Sequence, residues 1–250
     1  RRARALEVLD GVGEEDLADV VKKEGLEEAK KIISMPYNGV RLITGAIKKY
    51  NLDCDFRKQD SFFLALDKVG IGYLHDEVNI LKKLGFPFKI YGKRELHKIH
   101  PNNSYLGGLR YYGTWSINSL AYTQELKSAL IKKGVKIYEG TEVHGIVGNK
   151  AITHLGSVKA KNILVCIDKM KTEFDREISK KYYHAQTFLT VSEPLSKKEI
   201  NSIFPGDKFM CWDTALIYMY YRLIGENRLL LGGASYLTTY SPKYYNSPNV

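Results

Sequence analysis

The sequence predicts a mixed α/β (α+β) fold in which short α/β units interleave with an antiparallel-sheet part. Three observations carry this. Four segments end in paired lysines ahead of a chain break, "VVKKEG", "AIKKYN", "ILKKLG" and "LIKKG", as helices do when cations fill the last turn and glycine or asparagine follows. The last of them runs straight into "VKIYEG", strand after helix with the short connection of an α/β unit. Finally, "NILVCI" (162–167) is apolar at nearly every position, as a strand covered on both faces would be.

The elements follow in order. Residues 15–50 read as helical, with Leu26, Ala29, Ile32 and Ile33 on one face, a break at Pro36, then Val40, Ile43 and Ile47. "FFLAL" (62–66) reads as a strand, 76–84 as a helix ended by Gly85, and 86–91 as extended chain. "LGGLRYYG" (106–113) is a strand whose glycines permit close approach. From Ser116, Tyr122, Leu126, Ala129 and Leu130 mark a helical face that stops at Gly134. "TEVHGIV" and "AITHLGSVKA" are short antiparallel strands, the latter folding at Leu155-Gly156-Ser157. "AQTFLTVSEPL" (185–195) returns to β structure. A strand over 215–224 turns at Gly225-Glu226-Asn227 and comes back through three leucines to Gly232-Gly233.

Composition excludes several classes. The 250 residues are 44% hydrophobic and 26% charged, ordinary for a soluble globular protein with a real core. No apolar run nears the ~18 residues of a membrane span, and the N-terminus lacks the apolar core of a signal peptide. Residue 1 is not methionine, so a native start is not expected there. Cys54, Cys166 and Cys211 are widely spaced, which favours a reducing, cytoplasmic setting over disulfides. His97 and His100 form an H-x-x-H without cysteine or acidic partners, so no metal is expected. The net charge of +10 comes largely from helix-end lysines, not from a stripe that would track phosphates, so no nucleic-acid partner is expected.

Two glycine stretches imitate a dinucleotide loop. "DGVGEED" carries Gly11 and Gly13 but Asp16 where a third glycine belongs, and an acid there repels a pyrophosphate. "DKVGIGYLHDEV" carries Gly70 and Gly72 but His75 in the third place, with Asp76 and Glu77 where a phosphate would need positive potential. Both read as plain turns.

On strand 215–224, Leu216, Tyr218, Tyr220 and Arg222 alternate with Ile217, Met219 and Tyr221. Both faces are apolar or aromatic, so Arg222 needs a partner. A substrate carboxylate held bidentately would serve, and so would a structural carboxylate such as Asp213 or Glu226. Arg110 in "GGLRYYG" is a second candidate of the same kind, with Tyr111, Tyr112 and Tyr221 as pocket walls or core.

Taken in series, "GVKIYEGTEVHGI", "GSVKA", "KNILVCID", "TFLTVSEPL" and "YYRLIGENRLLLGG" resemble the D-amino-acid-oxidase/glycine-oxidase-like family of FAD-dependent amine and amino-acid oxidoreductases. The resemblance runs from "DCDFRKQDSFFLAL" at Asp53 to Thr239. It implies an FAD-binding Rossmann-like domain, here partial, interleaved with an antiparallel-sheet substrate domain. The expected partition is a helical lead-in at 1–54, a substrate domain at 55–116 and 181–235, a partial FAD domain at 117–180 and a tail at 236–250.

The resemblance places Val143 beside the adenine of FAD through its backbone. It brings Cys166 and Asp168, which depart from the family's usual small residues and glycine, to the end of a strand near the cofactor. A small buried hydrophobe is the other reading of Cys166. Gly232 and Gly233 would let the sheet approach the flavin, and Arg222, Tyr221, Arg110 and Tyr112 would bind the amine or amino acid. No catalytic acid or base is implied, because a flavin takes the hydride itself. The family's FAD fingerprint has no counterpart in this sequence, so the chain is expected to be an incomplete, FAD-incompetent part. Its sheet edges around "NILVCI" would then need an oligomer or further polypeptide to cover them. The rival reading is a non-catalytic α+β module for a ligand or partner.

Overall fold

A computed structural model describes residues 17–167 and 185–237. These divide into two compact units, one comprising residues up to 130 with 187–234, the other 131–186 with the segment from 235 onward. None of the described helices is long and apolar enough to cross a membrane.

The first unit opens with helices α1 (Leu17–Glu24) and α2 (Leu26–Tyr50). The expected break at Pro36 does not occur, because α2 continues through it to Asn51, whose left-handed φ of 49° ends the helix. Both halves of α2 are buried against neighbours. Ala29 and Ile32 pack with Val20 and Ile80, and Ile43 and Ile47 pack with Leu52, Cys54 and Ile117. That burial holds the helix on either side of the lost hydrogen bond.

A seven-stranded sheet forms the centre. Its strands are β2 (Ser61–Ala65), β3 (Phe88–Gly92), β4 (Gly107–Tyr111), β9 (Ala185–Val191), β10 (Met210–Asp213), β11 (Tyr220–Ile224) and β12 (Arg228–Leu237). They lie in the order β3-β4-β2-β10-β11-β12-β9. The pair β2–β10 is parallel, with Phe62 opposite Cys211, while β3–β4, β2–β4, β10–β11 and β11–β12 are antiparallel. The short pair β1 (Arg57–Lys58) and β5 (Trp115–Ser116) stands beside it as a separate ladder.

Helix α3 (Lys68–Leu84) crosses one face of the sheet, and α4 (Lys93–Ile99) and α6 (Lys197–Ile203) supply residues to the core on the other. α3 starts eight residues before the expected helix at 76, because Asp67 caps it by accepting from the Gly70 N–H at 2.8 Å. Gly70 and Gly72 therefore lie inside a helix and not in a turn. Gly70 has a packing reason: a Cβ there would come within 2.2 Å of Thr214 Oγ1, the oxygen that accepts from the Leu66 N–H. α6 is closed by a reciprocal capping box between Ser196 and Glu199.

The strand expected at 215–224 is shorter. Residues 214–217 form a bend and turn that leave Leu216 98% exposed. Asp213 makes this turn by accepting from the Ala215 and Met219 N–H groups at 3.1 and 3.3 Å. Only Tyr220–Ile224 keep the alternation read from sequence, and Gly225–Asn227 close the hairpin as a short 3-10 turn.

In the second unit β6 (Val143–Val147), β7 (Lys150–Thr153) and β8 (Gly156–Lys159) form an antiparallel sheet, the hairpins expected there. Helix α5 (Ser119–Lys132) belongs almost wholly to the first unit, where Ala121, Tyr122, Leu126 and Ala129 pack on Ile47, Leu52, Cys54 and Ile117. The expected strands "VKIYEG" and "NILVCI" pair with no described strand, and Leu164 is 87% exposed. A run apolar on both faces needs neighbours on both sides, and the described residues supply none to it.

Candidate functional site

The register of the sheet decides which candidate residues can act together. Partners across a ladder share a face, and positions alternate along each strand. Tyr221 stands opposite Cys211, which is opposite Phe62, itself opposite Arg110. Tyr221 and Arg110 therefore share the face that carries the core of Phe62, Leu64, Leu96, Phe204 and Phe209. Arg222 points the other way, with Tyr220 and Trp212, which are opposite each other. The four residues expected to bind substrate are thus split across the sheet.

On the first face Arg110 and the Tyr221 hydroxyl are committed to structure. Arg110 donates to Asp60 at 2.9 and 2.6 Å and to Asp207 at 3.2 Å, and its guanidinium lies over the rings of Phe209 and Tyr112 at 4.9 and 5.0 Å. Burial alone would ease its proton off. The bonds to Asp60 and Tyr91 outweigh that and hold it above the ordinary arginine value. Tyr112 serves as one of the surfaces on which this arginine stacks. The Tyr221 hydroxyl is hydrogen-bonded to His100 Nε2 at 2.7 Å, and burial beside Cys211 and Tyr105 pushes it far above the usual tyrosine range. The arrangement packs the sheet face against α4 and α6.

His100 in that cluster makes pH a lever on stability. Its ring is 2% exposed, with Nδ1 unpartnered and Tyr105, Phe204 and Tyr221 around it. Burial lowers its affinity for a proton below the ordinary histidine value of about 6.5. Unfolded, the ring takes a proton near that value, so below it the unfolded chain binds more protons than the folded one. His100 therefore costs nothing above about pH 6.5 and destabilises the fold as pH falls through its depressed value. The urea midpoint should drop between pH 7.5 and pH 5, and His100→Gln should narrow the drop. An equal drop in both proteins would remove His100 from the pH dependence.

The opposite face holds the candidate site. α3 covers this face over β2, β3 and β4, and the packed cluster ends at Trp212, which stacks on Phe63 and Tyr111. Beyond it lie Tyr220, Arg222 and Ile224, paired with Gly232, Leu230 and Arg228 of β12. The Arg222 guanidinium is half-buried and, among the described residues, makes no ion pair or hydrogen bond. The structural partners considered from sequence are engaged elsewhere: Asp213 holds the 214–219 turn, and Glu226 lies 3.3 Å from Arg228. Burial lowers the proton affinity of Arg222, with Asp55 opposing and Arg57 adding to the effect. Asp55 is itself paired with Arg57 at 2.5 Å, on a residue with φ of 50°. Trp212 contributes a buried indole N–H that finds no hydrogen-bond partner among the described residues. Sequence reading overlooked Trp212 and Asp55. Trp212 had a usable signal, because it alternates with the buried Cys211 and Asp213 along β10.

The residues expected to hold FAD fare differently. Val143 begins β6, opposite Thr153, with its side chain exposed. Cys166 is exposed in the unpaired 162–167 segment, not a buried hydrophobe, and Asp168 lies outside the described residues. Gly232 and Gly233 belong to the other unit. The space they leave is filled from within, since a Cβ at Gly232 would meet the Tyr220 ring at 2.1 Å and one at Gly233 the Met219 sulfur at 2.4 Å. Nor do the described residues cradle a pyrophosphate, because the one glycine-rich helix start is capped by the Asp67 carboxylate. The described residues thus do not fit the phosphate end of FAD.

Comparison with known proteins supplies the identity that this geometry leaves open. Residues 22–248 match the family model described as DAO: FAD dependent oxidoreductase. The chain is 25% identical over 231 residues to the Probable oxidoreductase OrdL of Haemophilus influenzae, covering 89% of this chain and 53% of that protein. It is 26% identical over 228 residues to the Gamma-glutamylputrescine oxidoreductase of Escherichia coli, covering 86% and 51%. The chain therefore spans about half the length of these curated relatives. Its fold superposes on L-proline dehydrogenase from P. horikoshii with a TM-score of 0.68 at 16% identity, over 86% of this chain and 59% of that one. Glycine oxidase from Geobacillus kaustophilus gives 0.64 at 15%, over 84% and 57%. With the family model matched over most of its length, this chain belongs to the FAD-dependent oxidoreductases.

Proposed function

We propose that the chain carries the substrate side of an FAD-dependent oxidoreductase acting on the C–N bond of an amine or amino acid, with Arg222 as the anchor for a substrate carboxylate. One observation carries the reading: a half-buried guanidinium on this sheet face makes no ion pair or hydrogen bond among the described residues, and its candidate structural partners are engaged elsewhere. A carboxylate docking there gains charge-assisted, bidentate hydrogen bonds in a partly dry setting. Tyr220 and Trp212 supply the apolar wall, and the Trp212 N–H adds a donor. The family supports the reaction class, and the names of relatives specify glycine, L-proline and gamma-glutamylputrescine for those proteins. In the same reading the described residues alone do not retain FAD, since they provide no pyrophosphate cradle.

Calorimetric titration of the purified chain tests the anchor. α-Amino acids, glycine and L-proline first among them, should bind saturably, whereas methylamine and pyrrolidine, which lack the carboxylate, should not. Equal binding of both sets, or none across the amino acids, would refute it. The flavin half has its own readout: the chain mixed with FAD and desalted should emerge colourless, and a stoichiometric yellow complex would overturn that part alone.

A further inference from the structure

We propose that His144 and His154 form a binding site for a divalent transition-metal ion of the Zn²⁺, Ni²⁺ or Cu²⁺ class on the three-stranded sheet. Ten positions apart in sequence, they offer no metal spacing to the eye. The β6–β7 hairpin brings them together. Val143 pairs with Thr153, and the register then slips between Val143 and Gly145, leaving His144 in a bulge. A bulge re-aims the side chain it carries, and here the His144 ring lies beside that of His154, the residue just after Thr153. The ring centres are 6.1 Å apart and the planes are inclined at 62°.

Exposed side chains can close that separation. Two imidazoles bound to one ion through bonds of ~2.0–2.1 Å place their ring centres roughly 4.5–5 Å apart at octahedral cis or tetrahedral angles, within a small rotamer adjustment of these two rings. The backbone under His154 is held in place: Thr153 Oγ1 donates to the Gly156 carbonyl at 3.0 Å and accepts from the Leu155 N–H at 3.1 Å. Both rings are exposed, so water can complete the coordination. Imidazole nitrogen suits Cu²⁺, Ni²⁺ and Zn²⁺ over Mg²⁺ or Ca²⁺. No group of three or more His, Cys, Asp or Glu residues is placed to hold a metal among the described residues, which makes this a two-ligand site open to solvent. An ion held there would tie β6 to the β7–β8 turn, at a strand whose outer edge has no described ladder partner.

Titration of the whole chain with NiCl₂, followed by calorimetry and by thermal unfolding, tests this, with His144→Ala, His154→Ala and a His97→Ala control. The native chain and the control should bind one Ni²⁺ with the same Kd and gain Tm in its presence. Each of the other two should bind at least ~10-fold more weakly and lose the gain. Affinity unchanged in both variants, or weakened equally in the control, would overturn the site. The native protein gives a readout free of any folding defect: Ni²⁺ should broaden the imidazole NMR signals of two histidines ahead of the rest. Uniform broadening of all of them would count against the proposal.

Discussion

Arg222→Met should abolish the preference for carboxylate-bearing ligands while leaving the fold as stable as before, or more so. A charge-assisted hydrogen bond contributes about 1.5–3 kcal/mol, so losing even one weakens amino-acid binding by roughly 10- to 150-fold. Stability moves the opposite way because the guanidinium is half-buried with no ion pair or hydrogen bond among the described residues. Methionine keeps much of the apolar stem and removes the desolvated charge. The combination is diagnostic. A purely structural arginine, when replaced, costs stability and leaves ligand discrimination intact. Affinity for glycine or L-proline beside the urea midpoint of the same variant decides between the two roles.

Arg110→Ala should do the reverse, costing about 3–5 kcal/mol of stability because it leaves a buried carboxylate unpaired. The Asp60 side chain is 8% exposed, its Oδ2 takes both bonds from Arg110, and its Oδ1 already lacks a partner. Phe209 and Tyr112 would lose the cation over their rings as well. The double variant Arg110→Met with Asp60→Asn should recover much of the loss, since removing both charges removes the unpaired one. Chemical denaturation of the three proteins checks this. A single variant within 1 kcal/mol of the native chain would show the pair to be idle.

These two arginines show how far sequence reading reached. Both stood on aromatic strands with a need for a partner, and nothing in the linear pattern separated them. Alternation along a strand tells which neighbours share a face. Which face of one strand matches which face of the next is set by register between segments far apart in the chain. Here the ladder Tyr221–Cys211–Phe62–Arg110 settles it, joining residues up to 159 positions apart, from 62 to 221. Asp60, just ahead of β2, and Asp207, just ahead of β10, claim Arg110.

The local elements were more legible, because their causes are local. The lysine-paired helix ends, the Gly85 and Gly134 stops, the hairpin at Gly156 and the turn at 225–227 follow from propensity, caps and backbone freedom. The errors arose where a distant contact overrode the local signal. α2 ran past Pro36 on the strength of burial on either side. α3 took in Gly70 and Gly72 because Asp67 capped it and Thr214 left room only for hydrogen at Gly70. The strand at 215–224 lost its first half to the turn made by Asp213.

By itself, then, the sequence determined the family, the order of helices and hairpins, and the presence of two arginines on aromatic strands that each needed a partner. The tertiary structure alone decided that Arg110 is given one by Asp60 and that Arg222, among the described residues, is not. It also showed that Gly232 and Gly233 make room for the protein's own Tyr220 and Met219, and that His144 meets His154 across a bulge. The reason is physical. Propensity and patterning act over a few residues, whereas the commitment of a charge is settled by whatever carboxylate the fold brings within reach.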